Sequence, residues 1–125
     1  MKSIMSISAN DVLNNILLTT VSGKYTLIPL PNVFEGLHEL KRKEAIQLVL
    51  IDMDDQGPKC MDFVQHITTS WLYNRPIIIL SSHMDDAKKE QLLNAGVRTL
   101  VNKPFNPVEL LKKIDELVKV DELVI

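Results

Sequence analysis

Three polar residues of complementary chemistry each close an apolar run: Asp52 after Leu48-Val49-Leu50-Ile51, Ser81 after Pro76-Ile77-Ile78-Ile79-Leu80, and Lys103, with Pro104, after Thr99-Leu100-Val101-Asn102. A carboxylate can attack phosphorus and carry the group as an acyl phosphate. A hydroxyl can contact the transferred group, and an ammonium can neutralise it through charge-assisted hydrogen bonds. If the three runs are parallel strands, these groups emerge at one carboxyl edge, where open α/β sheets bind ligands. The first apolar run ends differently, because Ile4-Met5-Ser6-Ile7 leads into Ser8-Ala9 with no acidic group.

The elements that must position these residues are legible as periodicity. Strand candidates are Ser3–Ser8, Tyr25–Pro29, Gln47–Ile51, Pro76–Ser81 and Arg98–Asn102. Three of them are nearly continuous β-branched or leucine runs, the pattern of strands covered on both faces. Asn10 or Asp11 caps a first helix bearing Val12, Leu13, Ile16, Leu17 and Val21, closed by Gly23. Val33, Leu37, Leu40 and Ile46 mark a second, with Glu35 and Glu39 outward; Met61, Val64, Ile67 and Trp71 mark a third. Asp85 or Asp86 begins a fourth, which carries Leu92 and Leu93 and ends at Gly96. Asn106 caps a fifth, with Pro107 in its first turn and Leu110, Leu111, Ile114, Leu117 and Val118 as the buried stripe. Alternating βα units predict one α/β domain over residues 1–125, a parallel sheet with right-handed crossovers and helices on both faces. Lys119–Ile125 is amphipathic and longer than the last helix needs, a candidate linker or tail.

Bulk properties narrow the function. A chain of 125 residues is long enough to bury about two-thirds of its unfolded surface. Its 46% hydrophobic and 24% charged residues are those of an ordinary globule. A formal charge of −2, with both signs dispersed, argues against nucleic acid and anionic membrane as partners. The basic patch Lys41-Arg42-Lys43 is followed by Glu44 and reads as a solvated helix face. Cys60 is the single cysteine, which excludes an internal disulfide and fits a reducing compartment. No apolar stretch approaches the ~18 residues of a membrane span, and the N-terminal run is too short and polar for a signal peptide. The expected location is cytoplasmic. Gly23, Gly36, Gly57 and Gly96 are too scattered for a dinucleotide or phosphate-binding loop, which argues against a flavodoxin-like enzyme or flavin binder. Cys60 and His66 lack partners at metal-ligand spacing. His38 and His83 are isolated, and Trp71 and Tyr73 read as core edge or a small interface.

Five βα units with these strand ends resemble the receiver domain of bacterial response regulators over nearly the whole chain. Leu48–Asp52 looks like the strand presenting a phospho-accepting aspartate, and Met53–Phe63 has the family's loop length, with Gly57 kept. Ile77–Ser82 looks like the strand ending in a hydroxyl residue and then a small one; Asn94-Ala95-Gly96 and Lys103-Pro104-Phe105 look like the turn and the lysine-proline pair. Gaps of 29 residues from Asp52 to Ser81 and 22 from Ser81 to Lys103 suit that fold. The resemblance implies a flavodoxin-like (βα)5 three-layer sandwich with a five-stranded parallel sheet in the order 2-1-3-4-5. It implies a non-enzymatic module of two-component phosphorelay signalling that meets a histidine kinase or another signalling protein. Asp52 would be the phospho-acceptor. Lys103 would pair with it and then with the phosphoryl oxygens. Ser81 would rotate its hydroxyl toward the phosphoryl group, and Ser82 would leave room for it. The Lys103–Pro104 bond would be cis, aiming the lysine inward.

Departures from the family pattern bear on the chemistry. Phosphoryl transfer gathers charge that a divalent cation neutralises, and Mg²⁺ prefers carboxylate oxygens and water. The family supplies an acidic pair after the first strand, where this chain has Ser8 and Ala9, so Asp52 is left with weak or absent Mg²⁺ binding. Asn10-Asp11 does not substitute, because sliding the alignment by two residues misplaces Ile16 and Leu17. Asp54 and Asp55 read either as a cation site on the other side of Asp52 or as a solvated acidic loop. Gln56 stands where a proline is usual, and Cys60 where a second glycine is usual. Leu100 occupies the place of the family's switch aromatic and has no polar tip, so it reads as core packing. Leu100 and the face of helix 107–118 form the candidate homodimer surface. The expectation is a receiver with impaired Mg²⁺-dependent phosphorylation, the alternative a phosphorylation-independent pseudo-receiver that acts as an interaction module.

Overall fold

Strand and helix signals alternate along the chain, and the elements follow suit. The computed structural model describes residues 1–42 and 45–123, those from 119 onward by backbone alone. In chain order they form β1 (Lys2–Ile7), α1 (Asp11–Val21), β2 (Tyr25–Leu30), α2 (Val33–Arg42), β3 (Ile46–Asp52), a 3-10 turn (Met53–Asp55), α3 (Lys59–Thr69), β4 (Ile77–Ser81), α4 (Asp86–Asn94), β5 (Thr99–Asn102) and α5 (Pro107–Leu123). All strand pairs are parallel, in the order β2-β1-β3-β4-β5. This is the flavodoxin-like arrangement that the resemblance implied. Its strand order reverses between β1 and β3, which opens a crevice at their carboxyl ends.

Side-chain alternation along the strands divides the core in two. Met5, Ile7, Val49, Ile51, Ile77 and Ile79 face Val33, Leu40, Phe63, Val64, Ile67 and Leu92, under α2, α3 and α4. Ile4, Leu48, Leu50, Ile78, Leu80 and Val101 face Leu13, Leu17, Val21, Leu110, Ile114 and Val118, under α1 and α5. Ile46 and Leu48 break the strict alternation by facing opposite sides. The cause is a bulge: Ser3 pairs Ile46 and Met5 pairs Val49, so β3 carries one extra residue between them. Downstream the register is regular, and Ile51 and Asp52 stand level with Ile7 and Leu80. The glycine in α2 permits close seating, since a Cβ at Gly36 would lie 2.5 Å from Ile7 Cδ1. Pro29, which cannot donate to a ladder, is accommodated in the edge strand β2.

Several local expectations are corrected. Ile46 belongs to β3 rather than the second helix, where its β-branched side chain fills the sheet core. Val12 and Ile16 are exposed, because one stripe at i, i+4 and i+8 (Leu13, Leu17, Val21) suffices to seat α1. Leu93 and Trp71 are exposed as well, Trp71 in the turn after α3 rather than at the core edge. Asn10, not Asp11, caps α1, accepting from Leu13 N–H at 3.1 Å. Asp85 caps α4 and Asn106 caps α5 in the same manner. The helix α5 continues to Leu123, through much of the stretch expected as a linker. Lys43 and Glu44 of the basic patch, and Val124 and Ile125 of the tail, lie outside the described residues.

Ile51 is fully buried directly before Asp52. Ile51→Ala should destabilise the fold by about 2–5 kcal/mol, seen as a lower urea midpoint at unchanged slope.

Candidate functional site

Parallel register brings the strand ends together without help from the loops. Asp52 is level with Leu80, and Ser81 with Asn102; the Lys103 N–H then donates to the Ser81 carbonyl at 2.9 Å. Ser8, next after Ile7, reaches the same edge and donates its own N–H to Leu30 O at 2.9 Å. The Lys103–Pro104 bond is cis, as expected.

Asp52 is 2% exposed, and both its oxygens are engaged. Oδ1 accepts from Lys103 Nζ at 2.7 Å and from the Asp54 N–H at 3.2 Å. Oδ2 accepts from Ser8 Oγ at 2.8 Å, and Ser8 Oγ accepts in turn from the Asn10 N–H at 3.0 Å. The structure therefore unites Asp52, Lys103 and Ser8 directly. Ser81 is nearby, but its hydroxyl donates to Asp54 Oδ1 at 3.0 Å rather than to Asp52.

Asp54 is the functional residue that the sequence understated. The 3-10 turn after β3 carries it across the end of β4, where the Ser82 N–H lies 3.1 and 3.0 Å from its two oxygens and Lys103 Nζ 2.9 Å from Oδ2. Asp55 is turned the other way: its Oδ2 accepts from the Ala9 N–H at 2.7 Å and lies 3.4 Å from Ser8 Oγ. Gln56, at the usual proline position, clasps the next loop, accepting from the Val33 N–H and donating to Pro31 O, both at 3.2 Å, and to Asp55 Oδ1 at 2.6 Å. Neither Asp54 nor Asp55 is a merely solvated loop residue. The sequence singled out both as an acidic pair after Asp52, but not the different partners that each one finds.

Burial alone would push the Asp54 carboxyl upward, but hydrogen bonds from Lys103, Ser82 and Ser81 outweigh it and hold the group at about 2. Burial alone would lower Lys103; its bonds to Asp52 and Asp54, with their charges, raise it instead. Cys60 is fully buried and its thiol is pushed up to about 11 chiefly by burial, the chemistry of a packing residue. His66 stacks on Tyr73 with ring centroids 6.4 Å apart. Leu100 is half-buried and packs against the core face beneath α3 and α4.

The donor set does not fit a Mg²⁺ centre. Asp52 Oδ2 meets a hydroxyl donor, Asp54 is turned toward an ammonium, and Asp55 is held by a backbone N–H. Among the described residues, no three histidine, cysteine or acidic side chains gather as a metal-binding group. A hard cation needs several oxygens aimed at one point; here Asp52 Oδ2 and Asp55 Oδ2 meet at the Ser8 hydroxyl, 2.8 and 3.4 Å away, while Asp54 is turned toward β4.

A parallel sheet in the order 2-1-3-4-5 is the flavodoxin-like architecture, and here it carries an aspartate, a hydroxyl and a lysine on its carboxyl edge. The family model of the response regulator receiver domain matches residues 8–115, and the chain belongs to that family. A response regulator from Thermotoga maritima superposes with a TM-score of 0.85 at 18% identity, over 95% of this chain and 98% of that one. A CheY-like receiver domain protein from Methanospirillum hungatei JF-1 superposes equally well, with a TM-score of 0.85 at 20% identity over 98% and 97% of the two chains. A curated relative, hybrid signal transduction histidine kinase D of Dictyostelium discoideum, is 26% identical over 117 residues; the match spans 91% of this chain but only 7% of that protein's length. Among the described residues no helix is long and apolar enough to cross a membrane.

Folded Asp54 releases its proton at lower pH than an unfolded aspartate, so its contribution to stability is full above about pH 4 and is lost as pH falls through about 2. Urea unfolding between pH 5 and about 2 should show this loss, and Asp54→Asn should flatten that part of the profile.

Proposed function

We propose that this chain is a receiver module of two-component phosphorelay signalling in which Asp52 is the phospho-acceptor and Mg²⁺-dependent phosphorylation is impaired. Its role is then exerted through contact with a histidine kinase or another signalling protein, in the cytoplasm. The module has no enzymatic turnover of its own and does not bind nucleic acid. In such a transfer a carboxylate oxygen of Asp52 forms the new P–O bond while the donor's imidazole nitrogen departs with its electron pair, and charge builds on the outer phosphoryl oxygens. Lys103 and Ser81 are the residues assigned to that charge.

The observation that carries the impairment is the hydroxyl of Ser8 on Asp52 Oδ2. A donor there competes for the lone pairs a cation would use, and Ala9 adds no carboxylate beside it. The phosphorylation-independent pseudo-receiver is favoured by a different observation, that Lys103 and Ser81 already engage Asp54.

A small-molecule phosphodonor with Mg²⁺, read by intact mass, tests the reading. The wild-type chain should gain little or no phosphoryl adduct at millimolar Mg²⁺, and Ser8→Asp with Ala9→Asp should raise both the yield and its dependence on the metal. Ready wild-type modification that disappears in Asp52→Asn would remove the impairment and leave an ordinary receiver.

A further inference from the structure

Three donors of different kinds, from the ends of two strands, converge on one carboxylate. Ser81 Oγ reaches Asp54 Oδ1 at 3.0 Å, the Ser82 N–H reaches both oxygens at 3.1 and 3.0 Å, and Lys103 Nζ reaches Oδ2 at 2.9 Å. On the receiver reading above, two of these donors, Ser81 and Lys103, would contact a phosphoryl group on Asp52. We propose that the Asp54 carboxylate is a resident ligand of this cradle, standing in for that group and holding the β4 edge in its anion-bound arrangement without phosphorylation. The inference rests on that reading for the identity of the missing anion, and on the distances for its replacement.

The backbone is set for this role. The Asp54 N–H is fastened to Asp52 Oδ1 at 3.2 Å, which leaves the side chain directed across the end of β4. Being tethered, the carboxylate is present at a high effective concentration and competes with free anions for these donors. An incoming tetrahedral oxyanion needs the same donors and meets the carboxylate's negative charge. The consequence passes outward through Ser81. Its hydroxyl donates to Asp54 while accepting from the His83 N–H at 3.2 Å, so the anion is linked to the loop that leads into α4. The Ser81 hydroxyl thus already donates to an anion at the β4 edge.

Titration of the full chain with inorganic phosphate, without metal or phosphodonor, tests this through the Ser82 and His83 amide signals in ¹H–¹⁵N spectra. In the wild type both should begin to move only at far higher phosphate concentrations than in the variant. Asp54→Ala should displace both; added phosphate should then bind saturably and return them toward their wild-type positions. Its apparent affinity should exceed that of the wild type by about 10–100-fold, the range of one charge-assisted hydrogen bond. Asp54→Asn keeps the side-chain shape and a neutral acceptor, so it should fall between the two and guards against misfolding of the alanine variant. Adding Lys103→Met to Asp54→Ala should abolish the response. Equal responses in wild type and Asp54→Ala, or amide signals indifferent to loss of the carboxylate, would overturn the proposal. Because no phosphodonor is present, that failure would leave the adduct measurement on Asp52 untouched, and the reverse also holds.

Discussion

The carboxyl edge of this sheet depends on a single ammonium shared between two carboxylates. Asp52 lies almost out of contact with water, where an ionised carboxylate is costly unless paired and hydrogen-bonded. Lys103 supplies the pairing at 2.7 Å, and Ser8 and the Asp54 N–H supply the remaining bonds. The same ammonium lies 2.9 Å from Asp54, whose other donors are a hydroxyl and a backbone N–H. Two negative charges and one positive charge are thus held together by neutral donors from the ends of three strands.

The scaffold makes this arrangement rigid. Both faces of the sheet are filled, so the register of β3 against β1 and β4 cannot slip without moving an entire apolar set to the wrong side. The bulge near the start of β3 sets the phase in which Ile51 enters the core and Asp52 follows it to the edge. Gln56 and Asp55 then tie the loop after β3 to the loops after β2 and β1. The strand ends are fastened to one another as well as to their own elements.

Ser8 and Ala9, at the end of β1, bring hydrogen-bond donors to this edge. Carboxylates at that edge would repel Asp52 and call for a cation between them; a hydroxyl donates to Asp52 and calls for none. The Ala9 N–H in turn gives Asp55 a partner. The edge is balanced by these hydrogen bonds together with the Lys103 ammonium.

The architecture was legible in the sequence because it follows from patterns that survive without knowledge of distance. Continuous apolar runs imply buried parallel strands, and Asp52, Ser81 and Lys103 at their ends imply a common edge. The cis bond at Lys103–Pro104 was readable too, through resemblance to receiver domains. What the tertiary structure decided was direction. Asp54 and Asp55 are adjacent acids in one loop, with no difference in pattern between them. Only the 3-10 turn sends one across β4 to Lys103 and Ser81 and the other back to Ala9. Likewise Val12, Ile16 and Trp71 have core-like side chains, and only the packed helices show which stripe is covered. Period and composition determine which elements form and which ends they share; the aim of a short polar side chain in a turn depends on donors that arrive from distant parts of the chain.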